Sequence, residues 1–166
     1  MYTLKPLSRD AVQSALAKAE RYRLLNEPGE AESICLDVLE IEPGNQAARI
    51  SLILALTDQF GSDPGAYGRA QGLVPGLQSD YERAYYAGII AERRAKAQVA
   101  HAGYAAVHGA HDWLMEAMKH FEQAEALRPA GNDDALLRWN ACARFLMRHP
   151  DLRSGAEERH EIEMLE

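Results

Sequence analysis

The sequence predicts an all-α fold of about seven helices folded back on one another in antiparallel pairs. Three observations predict it. Apolar residues recur at helical spacing through most of the 166 positions, as one buried face of a helix requires. Pro and Gly clusters interrupt that spacing at intervals, near positions 28, 43, 64, 75 and 129, where a chain must turn. Signs of β structure are few: aromatics make up 7%, and alanine, which favours helix, is abundant.

The first helix carries Val12, Ala15, Leu16, Ala19 and Tyr22 on one face. The second carries Ala31, Ile34, Cys35, Val38 and Ile41. Between them Asn26-Glu27-Pro28-Gly29 reads as a turn, because proline lacks an N–H for a helix interior. Pro43-Gly44 stops the second helix, and Asn45 caps a third. The third spans 46–60, with Ala48, Leu52, Ala55 and Leu56 inward. A fourth, 66–77, contains Gly68, Gly72, Pro75 and Gly76 and is expected to be short or kinked. Ser79 or Asp80 caps the fifth, which runs to about position 100 with Tyr85, Gly88, Ile89 and Val99 packed. Residues 101–111, with two glycines and three histidines, read as a loop or frayed end. The sixth helix then starts near His111 or Asp112 and ends at Arg128. Asn132 caps the seventh, which reaches Arg148. Trp113 and Trp139 fall among apolar positions and are expected in the core.

Residues 10–45 resemble one tetratricopeptide repeat (TPR). Tyr22, Ala31 and Pro43 match that family's aromatic, Ala and Pro positions. Its early Trp and Gly are Ala15 and Ala19 here, and Cys35 replaces a usual aromatic. A second match lies at Ala117, Phe121, Ala124 and Pro129. A third segment, 83–97, has the aromatics and Gly88 of a repeat's first helix. The resemblance implies a short right-handed α-solenoid. Its units would be repeat one at 12–45, a degenerate repeat two at 46–79, a third repeat with an insertion at 80–131, and a capping helix at 132–148. A polar tail, 150–166, would follow. The equivalent caps Asn45 and Asn132 lie further apart than two plain repeats of about 34 residues each, so extra residues are placed around 100–111.

A formal net charge of −7, from 18 basic and 25 acidic side chains, argues against a nucleic-acid partner, which calls for a basic field. No stretch approaches the ~20 apolar residues of a membrane span. The opening residues lack the apolar run of a signal peptide. A cytoplasmic protein is expected, with Cys35 and Cys142 buried and reduced.

In the TPR family the first helices line a concave face that binds a protein or peptide. The resemblance puts Glu20, Arg23 and Asp58 on that face. It adds Tyr86, Ile90, Arg93 and Arg94 from the fifth helix, and Asn140 and Arg144 from the seventh. The family's Lys and Asn carboxylate clamp is not reproduced, since Leu16 and Glu20 occupy those positions. Arg93, Arg94, Asn140 and Arg144 with Tyr86 are instead expected to receive an acidic or carboxylate-bearing segment. The alternative pairs these arginines with Glu92, Asp133 and Asp134 on a solvated face. No cofactor is expected and no catalytic constellation is recognisable. A homodimer through exposed apolar surface is a further expectation. The rival reading is a helical metal-binding protein using His101, His108, His111, Asp112, Glu116 and His120. The bland reading of the same histidines is a polar surface.

Overall fold

A computed structural model of the chain describes residues 1–101, 107–152 and 164. Among these there are seven α-helices and no strand. The chain forms two compact units, Met1–Gln78 and Ser79–Glu166.

The first unit opens with an extended stretch and a 3₁₀ turn at Arg9–Ala11. Then come α1 (Val12–Leu24), α2 (Pro28–Ile41), α3 (Gln46–Thr57) and α4 (Ala66–Leu73), followed by a second 3₁₀ turn at Val74–Gly76. Pro28 sits at the first position of α2 rather than in a turn before it. That position tolerates proline, because its missing N–H would have no helical partner. The turn is made instead by Asn26, whose φ of 60° is left-handed; asparagine accepts that conformation at a helix end. Asn45 caps α3 as expected: its side-chain oxygen accepts the Ala48 N–H at 2.9 Å. The third helix stops at Thr57, earlier than the apolar pattern suggests. The glycine-rich fourth is short and tightens into the 3₁₀ turn at Pro75.

Two polar contacts fix the directions of the first three helices. Arg23, near the end of α1, binds Asp58, just past the end of α3, at 2.8 Å. Gln59 donates to Glu32, near the start of α2, at 2.8 Å. The first and third helices therefore run parallel, with α2 antiparallel between them. Ala19, Ala31, Cys35, Val38, Ala48, Ile53 and Ala55 are fully buried. Small residues on α1, α2 and α3 let the backbones approach closely.

The second unit contains α5 (Asp80–His101), α6 (Val107–Leu127) and α7 (Asp134–Arg148). Ser79 Oγ accepts the Glu82 N–H at 3.2 Å and starts α5. The sixth helix begins before the expected His111, so residues 107–111 are helical rather than loop. One apolar line explains this: Ala110, Leu114, Ala117, Phe121 and Ala124 are all fully buried. Their spacing holds the helix through Gly109, whose cost of about 1 kcal/mol it outweighs. Residues 102–106, where part of the insertion was expected, lie outside the described residues. Helices α5 and α6 have 22 and 21 residues, against 13 and 14 for α1 and α2.

Helices α5 and α6 are antiparallel. Gly88 lies against Phe121, Arg94 over Trp113 and Gly109 near Gln98. The N-cap of the last helix is Asp133 rather than the expected Asn132; the Asn132 side-chain oxygen accepts the Asp134 N–H at 3.0 Å and turns the chain into the helix. Both tryptophans are half-buried rather than core. Trp139 keeps its ring N–H on Glu122 at 3.0 Å, since an indole N–H needs an acceptor. Of the tail, Pro150, Asp151, Leu152 and Met164 are described; Leu152 is buried and Met164 exposed.

Candidate functional site

The α5 half of the candidate surface is one stripe. Tyr86, Ile90, Arg93 and Arg94 follow helical i, i+4, i+7, i+8 spacing. Tyr86, Arg93 and Arg94 are half-buried. Ile90 is 3% exposed and offers a partner almost no surface. The Tyr86 phenol is pushed up to about 12, first by burial and then by the neighbouring Tyr85 and Glu82. It stays protonated at neutral pH. The guanidinium of Arg94 lies over the Trp113 ring, 4.8 Å from its centroid. A cation over an indole face is held there by the ring's quadrupole.

The α7 half is a second stripe. Arg144 is exposed and Asn140 half-buried. The two helices meet through other residues. Glu92 on α5 is fully buried. Its Oε1 receives Lys96 at 2.5 Å and Arg138 of α7 at 3.5 Å. Lys96 also lies over the Phe145 ring, 5.7 Å away. These contacts give a reference direction on each helix. At 3.6 residues per turn, Tyr86, Ile90, Arg93 and Arg94 sit about 100–200° round α5 from Glu92. Asn140 and Arg144 sit about 200–240° round α7 from Arg138. Both stripes therefore lie off the Glu92–Arg138 contact rather than in it.

The Glu92 network has no counterpart in the reading of the sequence. Its local signal is the Glu92/Lys96 spacing of four, which on an exposed helix marks a modest surface pair. Here the carboxylate is buried, and its second oxygen, Oε2, has no hydrogen-bond partner among the described residues. Glu92 is therefore not on a solvated face. Of the other two acids considered as partners, Asp133 approaches Arg128 at 3.6 Å.

The histidines fall into separate pairs. His111 approaches Asp112 at 3.5 Å and His120 approaches Glu116 at 3.5 Å. His101 Nδ1 lies 3.0 Å from the Ala97 carbonyl. Among the described residues no three His, Cys, Asp or Glu side chains are grouped to hold a metal. The side chain of His108 lies outside them. Of the first-unit residues expected on a concave face, Glu20 is exposed and Arg23 is paired with Asp58.

Compared with family models, curated proteins and solved structures, the chain matches none. The reading of its function therefore rests on its own residues. Among the described residues no helix is long and apolar enough to cross a membrane.

Proposed function

We propose that the protein is a non-catalytic, cytoplasmic scaffold or adaptor whose TPR-like helix pairs hold an acidic or carboxylate-bearing segment of a protein partner. The observation that carries this reading is the Arg93–Arg94 pair on α5, with the Arg94 guanidinium over the Trp113 ring. A guanidinium presents a planar fork that matches a carboxylate, and a side chain already resting on a ring has less freedom to lose on binding. Tyr86 on the same stripe adds rigid contact area. Asn140 and Arg144 on α7, half-buried and exposed, add polar and cationic groups for the same partner.

The test is fluorescence anisotropy with two labelled peptides of equal length, one rich in Asp and Glu and one neutral. The acidic peptide is expected to bind, and the double substitution Arg93→Ala/Arg94→Ala to weaken it by about tenfold or more, the loss of one or two charge-assisted contacts. Helix content should be unchanged by circular dichroism. Equal binding of the neutral peptide, or an unaffected double variant, rejects the proposal. Elemental analysis addresses the metalloprotein alternative: near one metal per chain, lost on replacing His108 and His111, would favour it.

A further inference from the structure

Residues 1–7 run unhelical into the first unit and carry four large apolar side chains. Only the last of them is packed. Met1, Tyr2 and Leu4 are 124%, 102% and 86% exposed, so they are not packed into the core. Leu7, by contrast, lines a groove of about 280 Å³ between α1 and α2. Ala15 and Tyr22 from α1 and Ile34 from α2 supply its other apolar walls. Lys18, Glu30 and Asp37 supply its charges.

The groove is smaller than the ~300–1,000 Å³ of sites for drug-sized molecules. It suits one or two inserted side chains. Its charges, two carboxylates against one ammonium, favour a basic guest. The segment just before Leu7 has that chemistry: Tyr2 and Leu4 are apolar, and Lys5 is the only charged side chain in 1–7. Pro6 favours an extended backbone at Lys5 and has no N–H of its own, which suits an arm that reaches outward.

We propose that the groove takes the residue 2–5 arm of a second copy of this chain. Tyr2 and Leu4 fill the apolar walls, and Lys5 meets Glu30 and Asp37. Because each copy carries both arm and groove, the exchange is reciprocal and closes on a two-fold axis. Two arms and two grooves remove on the order of 1,000 Å² from water, the size at which specific interfaces begin. The α5 and α7 surfaces take no part, so this dimer stands or falls independently of the acidic-partner reading.

Analytical ultracentrifugation of the full chain over a dilution series tests it. A concentration-dependent dimer is expected. Tyr2→Ser/Leu4→Ser should weaken it by about tenfold or more. Lys5→Glu should weaken it too, and adding Glu30→Lys/Asp37→Lys should restore it. The arm is exposed, so helix content should match the wild type in the arm variants. A monomer at every concentration up to about 1 mM would overturn the proposal. So would a dimer indifferent to the arm substitutions, or a charge reversal that restores nothing.

Discussion

Gly88 shows how much a single missing carbon decides. A Cβ there would lie 2.6 Å from a ring carbon of Phe121, and Phe121 is fully buried with no room to move. Gly88→Ala should therefore lower stability by about 1–3 kcal/mol, the overpacking cost exceeding the gain in helix propensity. Gly68, inside α4, has nothing within 4 Å of its Cβ position, so Gly68→Ala should stabilise by about 0.5–1 kcal/mol. Urea midpoints of the two variants should move in opposite directions. The ionisable residues give a pH prediction. Burial pushes the Cys35 thiol from 9.0 to about 11 and the Cys142 thiol from 9.0 to about 12. Burial likewise pushes the Tyr86 phenol from 10.0 to about 12. Between the ordinary and the folded values the native chain holds protons that the unfolded chain has released. Stability is then full below the ordinary values and falls as pH rises from about 9. Thermal melts should show Tm declining above that pH, with a shallower decline in Cys35→Ala/Cys142→Ala.

At the scale of the element, local signals were legible and the phase between helices was not. Asn45 could be read as a cap because asparagine after a Pro-Gly stop has few other uses, and its bond to Ala48 follows. Asn45→Ala should cost about 1 kcal/mol, measured by urea denaturation. The start of α6 was misplaced because Gly109 and the histidines mask a run whose inward residues, Ala110 and Leu114, are small or few. The burial of Glu92 was hidden for a different reason. Periodicity shows which residues share a face, but not which face meets a neighbour. Here Glu92 meets Lys96 and Arg138, drawn from two helices more than forty positions apart. Their seam is itself testable. Removing both cations with Lys96→Met/Arg138→Met leaves a buried carboxylate without compensation, at a cost of about 3 kcal/mol or more. Adding Glu92→Leu to that variant should recover most of the loss, again by urea midpoint.

At the scale of the whole molecule, the all-α class was legible because apolar spacing and Pro/Gly punctuation agree along nearly the entire chain. The burial of both cysteines was legible too, from their place on apolar stripes. The division into Met1–Gln78 and Ser79–Glu166 has no compositional marker at its boundary, only the Gly76 to Ser79 turn residues. It gives the two thiols a use that neither has alone. Cys35 belongs to the first unit and Cys142 to the second, and both are free and sealed from solvent. An alkylating reagent can reach each sulfur only when its own half opens. Pulse labelling followed by peptide mass spectrometry would read two opening equilibria from one untouched chain, equal if the halves melt together and unequal if one breathes first.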